Sequence, residues 1–310
     1  MGPPLEPVEG FLSPVARIDL NFFGSQASSR GAWLLAVPML LVYAVAFVVP
    51  LAMILVESVS SGPAGASWTF SLANYAALLT DGVTLDVIFQ TFVLSLNITV
   101  VCAVIAYPVA LQMRRSVNAM RMILLAMVIG PLLTSVIVRN VAWLLILGRN
   151  GIINSTLMKI GLIDTPLPLM YNDFGVIVAV AHVYLAFMVL PVYGALTQID
   201  QRVEESAASL GAPPFSVFWR ITFPLSLPGL VAGTSLVFIL SMGLYLTPTI
   251  MGGSFVVTAS TLITDLARNQ YNWPMASALA VLLLLAIALS LVVFQFIARI
   301  GAATGVKRDA

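Results

Sequence analysis

Six apolar stretches, approximately 32–56, 87–111, 122–147, 174–196, 228–250 and 275–298, limit what this chain can fold into more than any other feature. A bilayer's hydrocarbon core is about 30 Å thick and takes roughly 20 apolar residues to cross as a helix. Each stretch meets that length. None alternates apolar and polar residues with period two, as a barrel strand does. A helix closes its backbone hydrogen bonds within itself, so the stretches read as six transmembrane helices of an all-α integral membrane protein. The first is expected to be a span rather than a cleaved signal peptide, because it follows residues 1–31 and is too long for the apolar region of such a peptide.

Composition narrows the chemistry. Hydrophobic residues make up 60% of the 310 and charged residues 9%, where soluble chains carry about a quarter charged. A net charge of +1 offers nucleic acid no basic face. The single cysteine, Cys102, excludes an internal disulfide, and the single histidine, His182, excludes multi-histidine metal chemistry, so no metal site is expected. Catalysis that needs several titratable groups in one cleft is improbable for the same reason, and the chain is not expected to be an enzyme. It has no GxxxxGKS or GxxxxGKT phosphate loop, so any ATP-driven work must draw on another chain.

Basic residues set the expected orientation. Counting segments alternately from the N-terminus, Arg17, Arg30, Arg114, Arg115, Arg121, Arg202, Arg220, Arg299, Lys307 and Arg308 fall on one side. Only Arg149, Lys159 and Arg268 fall on the other, and Arg139 lies inside the third stretch. Positive residues stay in the cytoplasm, which places both termini there. The expected division is a cytoplasmic arm at 1–31, a six-helix membrane domain at 32–298 and a cytoplasmic tail at 299–310. Within the arm, the stretch Ile18-Asp19-Leu20-Asn21-Phe22-Phe23 reads as an interfacial anchor.

The loop at 197–227 is long for a cytoplasmic connection in a compact bundle. Asp200 is a suitable N-cap, and Glu204 and Glu205 lie near the positive end of the helix that follows. Gly211 suits the left-handed residue that ends that helix. Pro213 or Pro214 fits the first turn of a second short helix, which Pro224 is expected to close. The loop therefore reads as helix, turn, helix. Small residues Ser206, Ala207, Ala208 and Ser209 let a helix sit deep in a partner's groove. Phe215, Phe218 and Trp219 present apolar bulk that a cytoplasmic loop should not leave in water.

On these residues the chain resembles the permease subunits of ABC importers. Glu205-Ser206-Ala207, Gly211, Ile221 and Pro224 fit the spacing of that family's EAA loop, with Ser206 in place of an alanine and Phe223 in place of a leucine. Within the family it looks most like the spermidine/putrescine-type permeases, through Phe70-Ser71-Leu72-Ala73-Asn74-Tyr75, Gly161-Leu162-Ile163-Asp164-Thr165-Pro166, Met251-Gly252-Gly253 and Asn272-Trp273-Pro274. The resemblance implies a type I importer permease fold in the inner membrane. It also implies that Glu205, Ser206, Ala207, Ala208, Gly211, Ile221 and Pro224 couple the chain to its ATPase. The implied partners are two cytoplasmic ATPase subunits that use ATP and Mg, a second permease subunit and an extracytoplasmic solute-binding protein. No cofactor is implied on this chain itself.

Candidates for a translocation route are Arg139, Tyr193, Met242 and Tyr245, with ordinary packing as the alternative for each. An intramembrane arginine is costly and usually faces a cavity or a partner, although Arg139 also suits a role in snorkelling or bridging helices. His182 and Cys102 read as packed helix residues. The rival function is a secondary transporter driven by an ion gradient. That class tends to show internal repeats and ionisable residues at the midplane, and only Arg139 points that way. A membrane scaffold would not need the EAA spacing.

Overall fold

A computed structural model describes residues 37–61 and 69–306, with side chains as far as Phe296. The N-terminal arm with its expected anchor, and residues 307–310 of the tail, lie outside the described residues. The chain forms two units, Met1–Met53 and Ile54–Ala310. Helix α1, Val37–Ser58, covers the first apolar stretch. It carries a π turn at Ala44–Val48, two positions before Pro50. A proline has no N–H to donate and its ring crowds the carbonyl four residues back, so the turn ahead of it widens.

The second unit continues with α2 (Ala73–Thr80), α3 (Gly82–Arg115), α4 (Asn118–Ile129), α5 (Val136–Leu147), α6 (Ile152–Lys159) and α7 (Asp173–Gln198). It ends with α8 (Gln201–Ser209), α9 (Pro214–Met242), α10 (Ala259–Arg268) and α11 (Trp273–Val306). Among the described residues there is no strand, only an isolated bridge between Ser60 and Phe70. Six helical segments among the described residues are long and apolar enough to cross a membrane.

Helices α3, α7 and α9 form the centre of this unit. The buried face of α3 runs Leu94, Ile98, Cys102, Ala106, Ala110 and Met113, spaced three or four residues apart as one helix face requires. Cys102 is enclosed here, as its sequence context suggests. Lipid supplies no hydrophobic drive between helices, so close backbone approach and side-chain fit must hold them together. Gly229 and Gly233 of α9 provide that approach. A Cβ on Gly233 would stand 2.7 Å from Sδ of Met188, on α7.

Two stretches depart from the sequence expectation. The third, expected as one span over 122–147, is broken: α4 passes into a 3₁₀ turn at Gly130–Leu133, and α5 begins at Val136. Pro131 cannot continue the α-helical hydrogen bonding. Twelve residues of α5 span about 18 Å, so α5 cannot cross alone. The crossing segment is instead Val136–Lys159, α5 followed by α6 through a tight turn at Gly148–Gly151. A Cβ on Gly151 would stand 2.6 Å from the Ile146 carbonyl oxygen. The fifth span, expected at 228–250, is Pro214–Met242, and Pro248–Gly252 forms a separate π turn. The sixth span, expected at 275–298, agrees with the membrane-length segment Trp273–Phe296 of α11, a helix that runs on to Val306.

Candidate functional site

The segment between α7 and α9 is built largely as its residues require. Asp200 caps α8 by accepting from the Arg202 N–H at 2.9 Å. The helix ends in a paired closure, with the Gly211 N–H on the Ala208 carbonyl at 3.0 Å and the Ala212 N–H on the Ala207 carbonyl at 3.1 Å. That geometry requires a left-handed residue, and Gly211 has φ +84°. Pro213 then leads into the first turn of α9, where Pro214 occupies the first helical position.

Pro224 does not close a second short helix, contrary to the sequence expectation. A π turn at Phe218–Thr222 precedes it, and the helix continues unbroken to Met242. The wider turn relieves the proline in the same way as the turn before Pro50. The second half of the 197–227 loop and the fifth span are therefore one continuous helical segment.

Sequence reasoning passed over Glu204 in favour of its neighbour. Oε1 of Glu204 accepts from Nη1 of Arg114, at the end of α3, at 2.7 Å and from Oγ1 of Thr222, on α9, at 2.7 Å. Arg114 also donates through Nη2 to the Ile199 carbonyl at 3.2 Å. Burial by itself would raise the Glu204 carboxyl, but the hydrogen bonds from Arg114 and Thr222 outweigh it and hold the group below the usual glutamate range. Glu205 is exposed and accepts from Nε2 of Gln201 at 2.8 Å, one turn back on its own helix. Helix periodicity is the signal that separates the two. Glu204 shares the inner face with Ala207, and Glu205 shares the outer face with Gln201 and Ser209.

The aromatic residues divide in a similar way. Phe218 turns inward, 5.7 Å edge-to-face from Tyr107 of α3, whose hydroxyl pairs with Ser226 at 2.7 Å. Phe215 and Trp219 stay 76% and 49% exposed. They are joined by Leu210, 90% exposed beside Gly211, which sequence reading did not single out. Ser206 and Ala208 are also exposed, Ala207 and Ile221 are half-buried, and Pro224 is exposed. The outward surface thus combines the exposed Glu205 carboxylate, small residues and apolar bulk.

The other candidates lie apart from this site. Arg139 donates through Nη1 to the Pro131 carbonyl at 2.9 Å and to the carbonyl and hydroxyl of Thr134 at 3.4 and 3.3 Å. It therefore closes the break between α4 and α5, a helix-bridging geometry. The next residue, Asn140, is buried and pairs with Thr247 at 3.3 Å, a tie that sequence reading also missed. His182 stacks edge-to-face on Trp143 at 5.6 Å. Tyr193 and Tyr245 are half-buried, and Met242 is enclosed at 1% exposure.

Six membrane-length helical segments among the described residues, two of them joined by a helix-turn-helix segment, define a polytopic helical membrane protein. Comparison with known proteins narrows the class. The family profile of the binding-protein-dependent transport system inner membrane component matches residues 119–302, and the chain belongs to that family. It is 32% identical over 225 residues to the spermidine/putrescine transport system permease protein PotB of Escherichia coli K12, covering 73% of this chain and 82% of that one. It is 30% identical over 246 residues to the inner membrane ABC transporter permease protein YdcU of the same strain, covering 75% and 76%. Its fold is similar to that of a bacterial ABC transporter involved in the import of alginate, with TM-score 0.66 and 18% identity over 87% of this chain and 96% of that one. The chain is thus a multi-pass inner-membrane permease subunit with the importer-permease fold. Nothing found supports the ion-gradient-driven alternative.

Proposed function

We propose that this permease subunit carries polyamines, such as spermidine or putrescine, through an ATP-driven importer. The PotB likeness carries the substrate reading, because it spans most of both chains. An arginine facing the route would repel a polyamine, but Arg139 is engaged elsewhere. Its guanidinium is bonded to carbonyls at the end of a helical segment, where the helix dipole offsets positive charge. Tyr193 and Tyr245 are the route candidates that stay half-buried, whereas Met242 is enclosed.

The docking surface supports coupling to an ATPase in another chain. Two cytoplasmic ATPase subunits would use the ATP and Mg, one of them meeting Glu205, Ser206, Ala207, Ala208, Gly211, Ile221 and Pro224. A second permease subunit would complete the membrane unit. An extracytoplasmic solute-binding protein would deliver the solute, as the periplasmic protein named with the alginate transporter suggests by analogy. This arrangement puts both termini and α8 in the cytoplasm, in keeping with the distribution of arginine and lysine.

Uptake of labelled putrescine and spermidine, in cells lacking the gene and in cells with it restored, tests the substrate. Restoration-dependent uptake inhibited by excess unlabelled polyamine supports the reading. Unchanged polyamine uptake with loss of another solute's transport rejects it.

A further inference from the structure

The covalent connections of α8 hold it loosely. At one end the chain enters through Ile199 and Asp200, both extended, and at the other it leaves through left-handed Gly211. A helix of nine residues has little stability of its own in water. Its lever action therefore depends on side-chain ties to its neighbours. Among the described residues, every hydrogen bond from an α8 side chain to another helix ends on one atom, Oε1 of Glu204. That atom takes one donor from α3 and one from α9, the two helices that pack with α7 at the centre of the bundle.

We infer that Glu204 is a positioning residue for energy coupling, joining α8 to Arg114 and Thr222 so that α8, α3 and α9 move as one body. Adjacent glutamates then have separate tasks: Glu205 faces the ATPase, and Glu204 passes the displacement inward. Without the Glu204 tie, α8 still docks but pivots about Gly211, and ATP hydrolysis is poorly converted into movement of α3 and α9. The inference rests on the reading of α8 as the ATPase-docking segment.

The test uses the complete transporter, with both permease positions, ATPase subunits and binding protein, reconstituted in lipid vesicles. Three quantities are measured: co-purification of the ATPase, polyamine uptake per ATP hydrolysed, and the distance distribution between spin labels at Arg202 and Gln112. Both label sites are exposed, one on α8 and one on α3. Glu204→Gln is expected to retain the ATPase, lower uptake per ATP by about tenfold and broaden the distance distribution, since a charged hydrogen-bonded contact is lost. Thr222→Val removes one of the two donors and should give an intermediate loss, which keeps the idea testable if Glu204→Gln folds poorly. Exchanging the charges, with Arg114→Glu and Glu204→Arg together, should recover part of the coupling lost in Glu204→Gln. Unchanged uptake per ATP and an unchanged distance distribution in both Glu204→Gln and Thr222→Val would overturn the inference. So would loss of ATPase binding in Glu204→Gln at an unaltered uptake per ATP, because Glu204 would then be a docking residue. Glu205→Gln separates the premise: if it and Gly211→Val both keep full ATPase association and transport, the docking reading itself fails.

Discussion

Gly229 of α9 lies so close to Pro191 of α7 that a Cβ on the glycine would stand 2.5 Å from the proline's carbonyl oxygen and 2.5 Å from Cβ of Ala195. Two spans of the core therefore touch backbone to backbone. The approach joins the two helices that flank α8. Gly229→Ala should push α9 away and cost about 1–3 kcal/mol, the usual penalty for overpacking. Gly194→Ala, where nothing lies within 4 Å of the new methyl, should be neutral or stabilise by up to about 1 kcal/mol. Thermal melting of the two variants in detergent checks the contrast, and equal shifts would refute the contact.

Gly211 poses a different problem, since a Cβ there meets nothing. Its cost is conformational, from φ +84°. Alanine should lose about 1–2 kcal/mol locally and asparagine less, with valine the worst. The expected order of ATPase association and uptake is glycine, asparagine, alanine, valine. A flat series would show that α8 does not end in a left-handed residue.

The Arg114–Glu204 contact should respond to acid in a defined direction. The folded carboxyl titrates below its ordinary value, so its contribution to stability is complete above the ordinary glutamate range. It is lost as pH falls from that range through the lower folded value. The melting difference between wild type and Glu204→Gln should therefore be constant near neutrality and shrink below about pH 4.5, the unfolded range. A difference that grows on acidification would show that burial, rather than the arginine, dominates the carboxyl.

Arg139 closes a helix break, so its loss should register in stability before selectivity. Arg139→Gln is expected to cost about 1.5–3 kcal/mol, in the range of charged hydrogen bonds. The ratio of putrescine to spermidine uptake per folded molecule should stay as in wild type. A changed ratio at unchanged melting temperature would place Arg139 on the route.

Orientation is open to chemical labelling. Ser209 and Ser254 are both exposed, and the native Cys102 is enclosed. In a Cys102→Ser background, a cysteine at Ser254 should react with a membrane-impermeant thiol reagent in intact cells, and one at Ser209 should react only after lysis and removal of the ATPase. Labelling of Ser209→Cys from outside would reverse the topology and remove α8 from the ATPase side.

Much of this protein is determined by its sequence alone. Six long apolar stretches leave helices as the only economical way to satisfy the backbone in lipid, and that is a local property. The Asp200 cap and the turn at Gly211 are equally local, since each depends on what one side chain permits its own backbone to do. The break at Pro131 had a visible cause, yet hydropathy averages across it and suggests one continuous span. Pro224 misled in the opposite sense, because a proline ends a helix only if the preceding turn cannot widen, and here Phe218–Thr222 widens into a π turn. The different surroundings of Glu204 and Glu205 are decided only in three dimensions. The two are chemically identical and adjacent, and their difference lies in Arg114, 90 positions earlier in the chain, and Thr222, 18 positions later. Sequence fixes what each residue can donate or accept; packing of α3 and α9 against α8 decides which of the two carboxylates has something within reach.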